Sequence, residues 1–377
     1  MGNQTETKTK RPRHLWRWLL AAVAALVIGL VGSFNLRRDA GHFTTQPDSV
    51  QVKSAQLPAA SEPPQLDTAA YDLKLLQIAN LPPPATSSAS SSTPTSTTSV
   101  ASNPPASGWP VKTVYPNYGA LLPFHRIVAY YGNLYSTGMG VLGEYPENVM
   151  LDKLAGEAAK WQAADPSTPV IPALHYIAVV AQAGPGKTGK YIARMPDSEI
   201  DKVLAMAQKI NGLVFLDVQV GQSNVQTEVP LLEKYLKLPN VHLGIDPEFA
   251  MKAGQRPGTA IGTLDAKDIN FAAQYLAKLV KDNNLPPKIL IVHRFTNPML
   301  TNYQDIKPLP EVQIVMNMDG FGGQANKLNT YRQYIAKQPV QFTGFKLFYH
   351  NDAARGPMLT PEQLLKLSPI PVYIQYQ

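Results

Sequence analysis

From His125 to Gln377 the chain alternates short apolar runs with stretches patterned as amphipathic helices, eight times over. The spacing predicts strands over Ile127–Tyr131, Val170–Val180, Leu213–Val218, Val241–Ile245, Lys288–His293, Val312–Met318, Phe342–Tyr349 and Val372–Tyr376. Between them it predicts helices over Glu147–Ala164, Asp197–Ile210, Thr227–Leu236, Ala266–Asp282, Ala325–Lys337 and Pro361–Leu367, with a short or irregular one near Tyr303. The runs are apolar along their whole length, as in strands covered on both faces. Asp197, Asp265 and the Thr360-Pro361-Glu362 triplet supply helix start signals. Eight strands with intervening helices in about 250 residues fit an α/β fold, the (β/α)8 TIM barrel. The rival is an open doubly wound sheet. It usually has fewer strands and a glycine-rich first turn, and neither stands out here.

The first hundred residues have a different character. Residues 1–18 form a basic tail carrying Lys8, Lys10, Arg11, Arg13 and Arg17. Leu19 to Phe34 is an uncharged apolar run, preceded by Trp16 and Trp18 and followed by Arg37 and Arg38. Extended over 19–36, it approaches the ~20 residues a spanning helix needs. The excess of basic residues before it predicts a single-pass anchor with a cytoplasmic N-terminus and the barrel outside the cytoplasm. A cleaved signal peptide competes, with Val31 and Ser33 as a weak cleavage site. Residues 37–107 read as a disordered Ser/Thr/Pro-rich linker, because Pro82 to Ser107 is nearly all Ser, Thr, Pro and Ala and offers little to bury. One island, Leu66 to Asn80, has helical spacing suited to docking on a neighbour. The barrel domain is assigned to 108–377.

Composition narrows the chemistry. The absence of cysteine excludes disulfides, zinc-thiolate sites, cysteine nucleophiles and an acylated-cysteine anchor. The net charge of +7 is concentrated around the apolar run. The remainder is only mildly basic, so no nucleic-acid surface is expected.

In an eight-stranded barrel of this kind, sites lie at the C-terminal ends of the strands. Those ends carry Tyr131; His175; Asp217 and Gln219; Asp246 and Glu248; His293 and Arg294; Asn317 and Asp319; Tyr349; and Gln375. Glu144 lies in a glycine-rich loop after the first strand. Asp246 and Glu248, two residues apart on one strand, are expected to share a face. Like charges that close raise one pKa and suit a general acid. Asp217 and Asp319 complete a catalytic carboxylate ring, and Tyr131, Glu144, His175, Gln219, His293, Arg294, Tyr349 and Gln375 are expected to bind substrate.

Asp246-x-Glu248 at the end of strand four and Met316-Asn317-Met318-Asp319 at the end of strand six resemble the D-x-D-x-E and M-x-Y-D motifs of chitinase-like (family 18) glycoside hydrolases. Gly244 and Met318 occupy the positions of that family's earlier aspartate and its tyrosine. The resemblance implies Glu248 as general acid, Asp246 as its partner and Asp319 as stabiliser of an N-acetyl group acting as internal nucleophile.

Three functions are therefore expected in competition. The first is a membrane-anchored, extracytoplasmic glycoside hydrolase acting on a glycan or another small polar substrate, without cofactor. The second is a catalytically degenerate barrel that binds surface glycan. The third is a metal-dependent hydrolase, for which His175, Asp217, Asp246, His293 and Asp319 are suitable residue types. No metal site is assigned, because no two histidines have ligand spacing in sequence. A purely structural envelope barrel would leave Asp217, Asp246 and Glu248 apart. Ala181 to Thr188 resembles a phosphate loop, but no helix pattern follows it. A mobile loop over the barrel mouth, offering Lys187 or Arg194 to substrate, fits better.

Overall fold

The computed structural model describes residues 64–82, 108–252 and 254–377. The compact unit spans Leu66–Gln377. The basic tail, the 19–36 apolar run and residues 37–63 and 83–107 of the linker lie outside the described residues. Among those described, no helix is long and apolar enough to cross a membrane.

Eight parallel strands close into a barrel: β1 (Arg126–Gly132), β2 (Val170–Ala181), β3 (Leu213–Val218), β4 (Val241–Ile245), β5 (Lys288–Arg294), β6 (Val312–Met318), β7 (Phe342–Leu347) and β8 (Tyr373–Tyr376). Each pairs with its chain neighbours. Closure comes from β1, which pairs with β2 through Tyr131 opposite His175 and with β8 through Ala129 opposite Gln375.

Alternation along each strand builds two layers. Inward residues such as Ala129, Phe215, Ile291, Val315 and Tyr373 form the barrel core. Outward residues such as Val128, Leu216, Leu290 and Phe345 pack in a second layer that includes Trp161, Ile200 and Leu276 of the surrounding helices. Those helices include α2 (Glu147–Ala164), α3 (Asp197–Lys209), α4 (Ala266–Asn283) and α5 (Gln324–Tyr331), the last running into a π-helical turn over Arg332–Ala336. Asp265 and Asp268 form a capping box at the start of α4. The connection between β5 and β6 holds no α-helix: 3₁₀ turns at Asn297–Met299 and Tyr303–Asp305 flank a two-residue strand, Leu300–Thr301, that pairs with Leu264–Asp265.

Three expectations change. The helix expected over Thr227–Leu236 breaks into short pieces, Val225–Glu228, Val229–Leu232 and Glu233–Leu236. Pro230 lacks the amide that would continue one regular ladder. The phosphate-loop-like segment leads into a short strand, Ile192–Arg194, which folds back antiparallel on β2. Arg194 is held there by both oxygens of Glu228, at 2.7 and 2.9 Å. The island inside the assigned linker is ordered as α1 (Thr68–Ile78), preceding those helices in the chain.

Helix α1 closes the N-terminal end of the barrel. Tyr71 and Ile78 join the core cluster of Leu122, Ile127 and Phe342. Ile370 N donates to Ile78 O at 2.7 Å, and Ser368 Oγ to Ala79 O at 3.0 Å. Gln313 clasps both backbone polar atoms of Leu122, at 3.0 and 2.6 Å. The opposite, C-terminal end of the barrel is left for function.

Candidate functional site

The upper interior of the barrel carries the charged residues, whereas the lower is mainly apolar with His242 and Gln313 among its core residues. Asp217, inward on β3, is the hub. Its Oδ2 accepts from Tyr131 Oη at 3.0 Å, and its Oδ1 lies 3.2 Å from His175 Nε2 and 3.4 Å from His293 Nε2. Asp319, just past β6, holds the other side of His293, with Oδ2 at 2.9 Å from Nδ1. Its Oδ1 is 2.9 Å from Lys346 Nζ, from β7. That ammonium also sits over the Tyr131 ring, 3.7 Å from its centroid. Two buried carboxylates thus face two buried cations, so each charge is paired.

Hydrogen bonds set the state of His175. Gln375 Nε2, a donor, lies 3.0 Å from His175 Nδ1, and Tyr373 Oη lies 2.6 Å from the same atom. Nδ1 therefore accepts and Nε2 carries the proton toward Asp217. Burial lowers the pKa of His175 to about 4, against the pull of Asp217, so this ring is neutral. His293 is the opposite case. Burial disfavours its charge, but Asp217 and Asp319 on its two sides raise it to about 10. Burial would also raise Asp217, yet the His293 charge and the two imidazole hydrogen bonds hold it well below the usual carboxylate range. Asp319 is likewise lowered: Lys346 and His293 overcome its desolvation.

Asp246 and Glu248 shift the other way. Asp246 follows β4 and is buried; its Oδ1 accepts from Glu248 N at 3.0 Å and caps a 3₁₀ turn over Pro247–Phe249. Glu248 is thus on that turn and not on the strand, and the expected strand parity does not apply to it. The pair nevertheless interacts. Burial and the charges of Asp319 and Asp217 raise Asp246 to about 7 against the pull of His293. Burial, Asp246 and Asp319 raise Glu248 to about 8. Glu248 is half-buried, at the edge of the cluster.

Gly244 is explained by the same geometry. A Cβ there would stand 2.4 Å from both Asp217 Oδ1 and His175 Nε2. The position where the resembled motif carries an aspartate is thus denied a side chain by a carboxylate arriving from β3.

The other expected residues divide. Tyr131, His175, Asp217, His293, Asp319 and Gln375 meet in the cluster, and Gln219 braces it, donating to Tyr131 Oη at 3.3 Å and accepting from Ala181 N. Three do not join it. Arg294 follows inward His293 and so turns outward, to the carbonyls of Thr296 and Asn297 and the Tyr303 ring. Tyr349 lies beyond the end of β7; its hydroxyl meets outward Tyr130 at 3.0 Å and its ring stacks on Tyr376. Glu144 pairs with the exposed His350 at 3.0 Å. Lys346 and Tyr373 were not expected. A lysine one residue before the end of β7, on the parity of Phe342 and Gly344, is passed over when the strand is expected to run to Tyr349.

His175, Asp217 and His293 each offer a donor atom, all within 4.8 Å of one another. Distance along the chain had hidden this grouping.

No protein-family model matches the chain, and no curated protein matches it. Solved structures similar to it include a Bacillus subtilis mannanase (12% identity, 68% of this chain and 81% of that one, TM-score 0.34). A family 18 chitinase from Pseudoalteromonas aurantia aligns at 14% identity over 66% of this chain and 92% of its own, TM-score 0.31. Dihydropteroate synthase from Burkholderia cenocepacia aligns at 11% identity over 68% and 86%, TM-score 0.31.

Proposed function

We propose that the chain is a hydrolase of a glycan or similar polar substrate, working by carboxyl acid/base chemistry at the barrel mouth with Glu248 as the general acid. The observation that carries this reading is the opposite direction of pKa shift among four carboxyls in one place. Asp217 and Asp319 are held ionised while Asp246 and Glu248 are raised to about 7 and about 8. Environments that push carboxyl pKa values apart divide acid and anion roles. Glu248 is the partly exposed member of the raised pair and can keep a proton at neutral pH to give to a leaving-group oxygen. Asp246 orders the turn that presents it and, when ionised, holds the Glu248 proton on. Asp217 is the fixed anion, oriented by Tyr131 and His175. Both oxygens of Asp319 are engaged by His293 and Lys346, which suits it to positioning His293 more than to meeting an N-acetyl group. Tyr135 and Phe321, exposed after β1 and β6, add aromatic faces at the same end.

Glu248→Gln keeps the shape and removes the proton supply. On a panel of cell-surface glycans it is expected to lower turnover by about 10²- to 10⁴-fold with little change in melting temperature. Full activity in the variant sinks the acid assignment. Saturable glycan binding without product, in the unaltered chain as well, identifies the degenerate barrel instead.

The place of action is part of the proposal. The apolar run over 19–36 and its basic flank support a membrane anchor with the barrel outside the cytoplasm.

A further inference from the structure

We propose that His175 Nε2, Asp217 Oδ1 and His293 Nε2 form a binding site for one borderline divalent cation of the zinc type. Three independent features of the fold converge on it. The first is the donor set. Two imidazole nitrogens from β2 and β5 aim at one carboxylate oxygen from β3, at 3.2 and 3.4 Å, and all three donors lie within 4.8 Å of one another. Two imidazoles and one carboxylate, with a position left over, suit zinc and its neighbours better than magnesium or calcium, which favour all-oxygen cages.

The second is the shell behind the donors. Metal-binding histidines have the remote ring nitrogen fixed by a carboxylate, carbonyl or hydroxyl. His293 Nδ1 is held by Asp319 at 2.9 Å, and Asp319 is itself held by Lys346. His175 Nδ1 is held by Tyr373 Oη at 2.6 Å. Both rings therefore present Nε2 inward. His293 Nε2 is fully buried, and the Asp217 Oδ1 it faces lies 3.4 Å away, a long contact for a hydrogen bond. A buried ring nitrogen aimed at a carboxylate oxygen and a second imidazole nitrogen is placed as a cation ligand would be.

The third is the space. Gly244 faces the donors, and its missing side chain leaves open the volume that a Cβ would take, 2.4 Å from both His175 Nε2 and Asp217 Oδ1. Any other residue there closes that volume.

The protons balance. In the metal-free chain Nε2 of each ring carries a proton. On loading, His293 releases its proton to solvent, the His175 proton is re-housed on Nδ1, where Tyr373 Oη accepts it, and the Gln375 amide turns its oxygen in place of Nε2 toward that atom. The cation's two charges then face Asp217 and Asp319 in place of the one charge on His293. The site shares Asp217 with the proposed hydrolase, but its occupancy does not require the Glu248 assignment: a barrel with no glycan activity would bind the cation too.

The test reads binding, not turnover. The full-length chain is stripped with chelator, dialysed against Zn²⁺ or Co²⁺ and desalted; metal per chain is measured by elemental analysis and Co²⁺ geometry by visible absorption. One equivalent with a low-coordinate Co²⁺ spectrum is expected, and His293→Gln should lose it. Asp319→Asn, which keeps the shape of the supporting shell, should weaken affinity by about 10- to 100-fold. It serves as the second variant if His293→Gln does not fold. No retained metal in the unaltered chain, or wild-type affinity in either variant, overturns the proposal.

Discussion

At the residue scale, the site depends on matching inward charges in pairs. Lys346 shows what one member does. Its ammonium bonds Asp319 and lies over the Tyr131 ring, and it lowers the pKa of both Asp246 and Glu248. Lys346→Met leaves Asp319 with half its compensation. Removing one partner of a buried pair costs about 3–5 kcal/mol, so the midpoint of urea unfolding should fall by a corresponding amount. The same change should move the alkaline limb of any activity profile to higher pH, because a cation that favours ionised Glu248 has gone. An unchanged midpoint contradicts the pairing. Gly244→Ala is a second residue-scale prediction. The Cβ would meet Asp217 and His175 at 2.4 Å, and overpacking of this kind costs about 1–3 kcal/mol; a melting temperature equal to that of the parent chain contradicts the close approach.

The residue scale also separates what the sequence reveals from what it hides. Asp217, His175, His293 and Asp319 were legible because polar residues interrupting apolar strands at the functional end need a reason. Arg294 and Tyr349 stand at strand ends by position but not by parity. Neighbours along a strand face opposite sides, so an inward His293 excludes Arg294, and β7 stops at Leu347 before reaching Tyr349. Lys346 is hidden for a related reason: a strand expected to run to Tyr349 puts it in the interior, whereas β7 stops at Leu347 and makes it the penultimate residue, as Asp217 is of β3 and His293 of β5.

At the element scale, the eight strands are legible from continuous apolarity, and α4 from its capping box and amphipathic pattern. The break in the β3–β4 connection follows from Pro230, a local signal outweighed by the periodicity around it. Helix α1 is the clearest limit. Alone it is a marginal segment, and its order comes from Tyr71 and Ile78 filling the lower end of the barrel with Leu122 and Ile127. That end is formed by residues far away in sequence. If α1 belongs to the core, Ile78→Ala should cost about 2–5 kcal/mol in equilibrium unfolding. A loss near zero would make α1 an appendage.

At the scale of the whole molecule, closing the lower end commits the barrel to chemistry at its mouth, and the mouth's electrostatics set a pH dependence for the fold. Asp246 and Glu248 have folded pKa values of about 7 and about 8, above their ordinary 3.8 and 4.5. Carboxyls with raised folded pKa values impose no cost while protonated in both states, and a growing cost as the unfolded state ionises first. Stability should therefore fall as pH rises from about 4 through about 8. In chelator-treated protein, Glu248→Gln should flatten that slope, read as melting temperature from pH 5 to 9. A slope identical in parent and variant removes Glu248 from the account. The same scale holds the membrane proposal: deletion of residues 1–36 should release the chain from the membrane fraction into the soluble one, and retention would discard the anchor.

The central claim is a protonated Glu248 at neutral pH beside carboxylates that are ionised. Carboxyl-selective ¹³C NMR, or infrared difference spectroscopy in the protonated-carbonyl region, reads this without knowledge of the substrate. Two carboxyls titrating late, near 7 and 8, with the later one missing in Glu248→Gln, is the result predicted from the cluster's geometry. Asp246 and Glu248 both titrating near 4, as free carboxyls do, would contradict it.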